Sequence, residues 1–137
     1  VFKENDYTKE EMKMVDETKK IMADDELRIT ATTVRVPVYR SHAESVNIEF
    51  ADEVSAEAAR EALQAFPGIV VRDNPAEMEY PMPLYTSGKD VVEVGRIRKD
   101  YSQDKALNLW ICGDQIRKGA ALNALQIAET MIQKNLL

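Results

Sequence analysis

Over residues 7–25 apolar side chains recur at helical steps. Met12, Val15 and Met22, with the methylenes of Lys19, fall on one face, while Asp16, Glu17 and Lys20 lie elsewhere. Thr8 suits the N-cap of this helix, and Glu11, three residues on, completes a capping box. The pattern then changes. Residues 26–40 are rich in β-branched side chains and predict a strand, with Leu27, Ile29 and Ala31 on one face and Val34, Val36 and Val38 on the other. Arg35 then points away from the valines. Pro37 has no N–H to donate and marks an edge, a bulge or the end of the strand.

Val46, Ile48 and Phe50 alternate with Asn47 and Glu49, which predicts a half-buried strand over residues 44–51. Residues 55–68 predict a helix opened by Ser55 and closed by Pro67 and Gly68, with Ala58, Ala62, Leu63 and Phe66 as its apolar stripe. A short strand follows over residues 69–73. Residues 74–90 hold three prolines and no period, and so predict a long loop. Two more strands, residues 91–100 and 106–114, flank a turn around Ser102 to Asp104, and residues 115–137 predict one long closing helix. Strands joined by short turns pair antiparallel, so the order predicts an α/β (α+β) fold: a mixed, largely antiparallel sheet flanked by helices. No Gly-rich phosphate loop of the G-x-G-x-x-G type follows a strand.

In the closing helix, Ile116, Ala120, Leu122, Leu125, Ile127, Ala128, Met131 and Ile132 spread over more than one face. Such a helix must be covered on most sides. It is either a central core helix or one that packs on a partner or a further domain.

The 137 residues fit one domain with a real core, and 45% hydrophobic with 31% charged residues is a soluble globular balance. No apolar run approaches the ~20 residues of a membrane span. A net charge of −6 argues against a nucleic-acid surface, which needs clustered Lys and Arg. One cysteine, Cys112, excludes an internal disulfide, and one Cys with one His cannot build an ordinary zinc site, so no metal is expected. The simplest compartment is the cytoplasm. The chain opens "VFKENDY", without an initiator methionine or a signal-peptide pattern, as a processed or trimmed chain would, or the C-terminal part of something longer.

The candidate chemistry gathers around "RVPVYRSHAES", residues 35–45, which holds the only histidine. The Arg35 guanidinium matches a carboxylate or phosphate with two parallel hydrogen bonds, or else makes a structural ion pair. His42 is the natural general acid or base near neutral pH, or else simply a solvated turn residue; "RSHAE" places it with Arg40 and Glu44 in one short turn. Glu10 and Lys13 share a helix face, as a weak surface pair or as a carboxylate and an ammonium offered to a small zwitterionic, phosphorylated substrate. Cys112 has no basic neighbour in sequence and reads as a buried, inert thiol. Gly119, Ala120 and Ala121 near the start of the last helix allow close backbone approach to an anion, or tight packing.

"NDYTKEEMKMVDETKKIM", "TATTVRVPVYRSHAESVNIEF", "VGRIRKD" and "DQIRKGAALNALQIAE" together resemble the C-terminal part of aspartate-β-semialdehyde dehydrogenase, of the type common in Gram-positive bacteria. The likeness runs in order over essentially the whole chain. It implies an enzyme that reduces aspartyl-β-phosphate to aspartate-β-semialdehyde with NADPH, on the route to lysine, threonine and methionine, through a thioacyl intermediate on a cysteine. By the same resemblance, Arg35 holds the substrate carboxylate, Glu10 meets its amine and Lys13 helps bind phosphate. His42 serves as acid/base partner of the catalytic thiol, and Gln115 and Gly119 lie near the cofactor. Residues 1–115 would be the substrate-binding and dimerisation domain. Residues 116–137 would form a long helix returning to an NADP-binding domain, in a homodimer or homotetramer. The family's Gly-rich loop and catalytic cysteine are absent from these residues, and Cys112 lies in the wrong motif to replace the latter. The chain alone is therefore expected to be inactive. The alternative is a non-catalytic dimerisation or interaction module derived from such an enzyme, which would have no reason to keep Glu10, Lys13, Arg35 and His42 together.

Overall fold

A computed structural model describes residues 1–136, and the chain divides into two compact units, Val1–Pro37 and a second beginning at Val38. In the first unit, α1 spans Lys9–Met22. The capping box is formed: Glu11 N–H donates to Thr8 Oγ1 at 3.1 Å, and Thr8 N–H donates to Glu11 Oε2 at 2.8 Å. The helix ends at Ala23, whose φ of 53° turns the backbone left-handed.

Residues 26–37 depart from expectation. They form no ladder among the described residues, and Val34 and Val36 are exposed. β-branched side chains favour a pleated, half-buried surface, and one helix cannot supply a partner strand to create it. What fastens this segment is Glu11 again. Its second oxygen accepts the Thr33 N–H at 2.8 Å, so one carboxylate caps α1 and anchors the chain that leads to Arg35.

The second unit is a four-stranded sheet, β1 (His42–Glu49), β2 (Ile69–Val71), β3 (Val92–Lys99) and β4 (Ala106–Gly113), in the spatial order β1-β4-β3-β2. β4 pairs antiparallel with both neighbours, while β2 pairs parallel with β3, so the expected mixed, largely antiparallel sheet is present. Helix α2 (Ala56–Gln64) is capped by Ser55, whose Oγ accepts the Ala58 N–H. The chain leaves it through Gly68 at φ +83°, as the Pro67–Gly68 stop predicts.

Period-2 alternation explains the core. Leu107, Leu109 and Ile111 share the face of β4 that meets Val92 and Val94 of β3. Val94, Ile97, Leu107 and Leu109 are its buried centre, and Phe50, Val54, Ala59 and Leu63 close over them. The strand at residues 44–51 is present as β1, yet only Val46 along it is even partly buried, so it is less covered than half. An edge strand shields one flank of the sheet and leaves its own side chains wet.

The long loop 74–90 is more ordered than its composition suggests. It holds a 3₁₀ turn at Pro75–Glu77 and a single helical turn, α3, at Pro83–Thr86. Each starts at a proline, whose fixed φ suits the first helical position. The closing helix, in contrast, is broken: a π-type turn at Arg117–Ala121 precedes α4 (Leu122–Gln133), with a kink at Ala120. Gly119 weakens continuous helix there, and kinks settle at π turns. No residue of α4 is buried, and Leu125, Ile127 and Ile132 stand exposed, so within the described residues it is not a core helix.

Two stability predictions follow from named atoms. A Cβ at Gly95 would lie 2.1 Å from the Arg72 carbonyl oxygen and 2.6 Å from Pro81 Cδ, so Gly95→Ala should destabilise by about 1–3 kcal/mol or more, read from urea midpoints. Backbone hydrogen bonds from Thr8 and then Thr33 hold the Glu11 carboxyl below its ordinary 4.5. Its contribution is therefore present above that value and lost as the pH falls through the lower folded value. Glu11→Gln should flatten the acid limb of a helicity-versus-pH curve; an unchanged limb would assign acid loss to other carboxylates.

Candidate functional site

Glu10 and Lys13 lie one turn apart near the start of α1, with Lys13 Nζ 3.6 Å from Glu10 Oε1 and 3.9 Å from Glu17 Oε1. Both side chains are more than half exposed, so the pair is weakly held and free to exchange partners. Arg35 is exposed two residues beyond Thr33, the residue fastened to Glu11. These three belong to the first unit; His42, Gln115 and Gly119 belong to the second.

His42 is not in a turn, as "RSHAE" suggested. It opens β1, opposite Gly113 of β4, and Glu44 lies two residues along the same strand. The antiparallel register draws residues 42–49 into the ladder, and the bend falls one step earlier, at Ser41, with φ of +80°. A non-glycine residue holds that conformation only where its surroundings impose it. They do so here. Ser41 is buried; its N–H donates to Gln115 Oε1 at 2.9 Å, and its hydroxyl lies 2.5 Å from the Thr86 hydroxyl. The structure therefore joins His42 and Gln115 through the single residue between Arg40 and His42. Gly119 sits one turn on, exposed in the π-type turn, where an added Cβ would stand 3.7 Å from Gln115 Cβ.

Beneath this lies a residue that the sequence reading did not single out. Asp114 is fully buried. Its Oδ2 accepts the Gly88 N–H at 2.6 Å and lies 2.6 Å from Arg40 Nε in an ion pair whose N–H is off the line of contact. Its Oδ1 accepts the N–H groups of Ile116 at 3.0 Å and Arg117 at 3.3 Å. Burial alone would raise this carboxyl, but the backbone N–H groups of Gly88 and Ile116, with the Arg40 side chain and the Arg117 N–H, outweigh it and hold the group below the usual carboxylate range. An Asp between a strand and the turns of a helix is an N-cap signal, and that signal was available in "CGDQI".

Cys112 is inaccessible, and its thiol is pushed up to about 11, first by burial and then by the Glu93 and Glu44 carboxylates. Glu93 lies directly opposite it on β3. Such a thiol is almost wholly protonated at neutral pH and is no nucleophile. Among the described residues no cluster of three or more His, Cys, Asp or Glu could hold a metal ion, and no helix is long and apolar enough to cross a membrane.

Comparison with known proteins agrees with this architecture. The aspartate-semialdehyde dehydrogenase of Aquifex aeolicus is 51% identical over 137 residues, which is 100% of this chain and 40% of that protein. A crystal structure of aspartate semialdehyde dehydrogenase II from Vibrio cholerae, complexed with ASA, superposes with a TM-score of 0.91 at 43% identity, covering 97% of this chain and 39% of that one. The Candida albicans aspartate semialdehyde dehydrogenase with NADP does so at 0.78 and 26% identity, over 96% and 44%. The chain thus spans about 40% of the length of the relatives it matches. Residues 1–118 match the family described as semialdehyde dehydrogenase, dimerisation domain, and the chain belongs to that family.

Proposed function

We propose that these residues are the C-terminal, substrate-binding and dimerising part of a cytoplasmic, homo-oligomeric aspartate-semialdehyde dehydrogenase. That enzyme makes aspartate-β-semialdehyde from aspartyl-β-phosphate with release of phosphate. The observation that carries the reading is the 51% identity to the Aquifex enzyme over 137 residues, a match that covers the whole chain.

The roles follow from the chemistry of each group. A small dianionic substrate needs a fixed cationic fork at one end and a proton carrier at the other. Arg35 is the fork for the substrate carboxylate, Glu10 meets the amine, and Lys13 contributes a point charge to the phosphate. His42, exposed at the mouth of β1, takes and returns the proton of the reacting thiol. Cys112 is too deeply buried to be that thiol, so the 137 residues by themselves carry no turnover.

The cofactor supplies hydride when bound. In this chain Gln115 and Gly119 would hold it. The Gln115 Oε1 is already engaged by the Ser41 N–H, which turns the amide so that its two N–H donors remain for an acceptor. Gly119 places no side chain in the way. The apolar residues of α4 that stand exposed support the reading that residues 116–137 pack against an NADP-binding domain.

Steady-state kinetics of the full-length enzyme test these roles. His42→Asn should lower kcat by ~10²–10⁴-fold with little change in substrate KM. Arg35→Lys should act chiefly on KM and kcat/KM, because an ammonium cannot replace a bidentate fork. Wild-type kinetics in either variant would remove the role given to that residue.

A further inference from the structure

We propose that Asp114 is a positioning residue for His42: its buried carboxylate ties the Arg40–Ser41–His42 bend to the Gln115 turn and fixes where the imidazole stands. The inference rests on the acid/base role of His42 given above, and it adds a residue that does not itself meet substrate or cofactor.

Three segments distant in sequence converge on this one side chain. Arg40 reaches Oδ2 from just before β1, Gly88 reaches the same oxygen from just after α3, and Ile116 and Arg117 reach Oδ1 from the turn that follows β4. The same three segments are stitched together a second time without Asp114. Ser41 meets Thr86 through their hydroxyls, Ser87 Oγ donates to the Arg40 carbonyl at 3.3 Å, and the Ser41 N–H donates to Gln115. Ser41, Thr86 and Asp114 are all buried, whereas His42, directly above them in the chain, is exposed. Apart from the Arg40 Nε–H, which lies off the line of contact, the polar groups named here are hydrogen-bonded, and a buried network tied at this many points holds one geometry.

That geometry is needed because His42 lacks support of its own. It sits at the first position of an edge strand, with a ladder partner, Gly113, that offers no side chain to pack against. Its backbone direction is set by Ser41, whose left-handed φ relaxes once the ties around it are lost. Asp114 holds both sides of that residue, Arg40 before it and the Gln115 turn across from it. An error of about an ångström in a proton carrier can cost ~10²-fold in rate.

The test uses the full-length enzyme carrying Asp114→Asn, which keeps the shape and the Oδ1 acceptor but removes the charge facing Arg40 and the acceptor for the Gly88 N–H. The expected result is a fall in kcat of about 10- to 100-fold, with the KM for aspartyl phosphate changed by about twofold or less. Asp114→Asn added to His42→Asn should slow the enzyme no further, because a residue acting through His42 has nothing left to act on. Wild-type kcat in folded Asp114→Asn, or a full multiplicative loss in the double variant, overturns the proposal. If Asp114→Asn does not fold, Arg40→Gln breaks the same tie while leaving the carboxylate to cap its turn, and it must show the same kcat loss and the same non-additivity. Undiminished activity in His42→Asn would instead remove the acid/base role itself, a failure distinct from wild-type behaviour of the Asp114 variant alone.

Discussion

Strand β4 is hydrogen-bonded on both sides, and the register of those two ladders is what everything in the second unit depends on. Pairing Ile111 with Val94 on one side and Glu44 on the other sends Leu107, Leu109 and Ile111 to the helix-covered face. A slip of one residue would turn that set outward and bring Asn108 and Trp110 beneath α2. The same register sets His42 opposite Gly113. Asp114, the next residue, then lies where Arg40 and Gly88 can reach it. Core and candidate site are two readings of one alignment.

Elements whose cause is local were legible in the sequence. The capping box of α1, the Ser55 cap of α2 and the strand runs that became β3 and β4 each act within a few residues, and each is present. Residues 26–37 were misread because a β-branched run records only a preference for a pleated surface, and the partner that would provide one is not a property of the run. The closing helix was misread for a related reason. Its apolar residues kept helical spacing through Gly119, and spacing says nothing about a turn that loosens at one residue.

The candidate site divides along the same line. Glu10, Lys13, Arg35 and His42 were singled out because their residue types and their motifs carry chemistry. Asp114 was passed over although its local capping signal was there, because the rest of its meaning lies in Arg40 and Gly88, residues far away in the chain. The misplacement of His42 in a turn was an error of one step, since the bend is at Ser41 and serine gives no warning of a positive φ.

The spatial order of the strands also governs how the chain can be made. Strands β3 and β4 are joined by a short turn and can pair as soon as both exist, whereas β1, first in sequence, pairs only with β4, the last strand. During synthesis, which adds roughly 5–20 residues per second, the segment that carries His42 must therefore wait with both edges open until residue 113 has left the ribosome. The buried ties around Ser41 and Asp114 can close only after that, so the candidate site is among the last parts of the unit to form. Nascent chains stalled before β4 would expose the β1 segment to other unpaired strands.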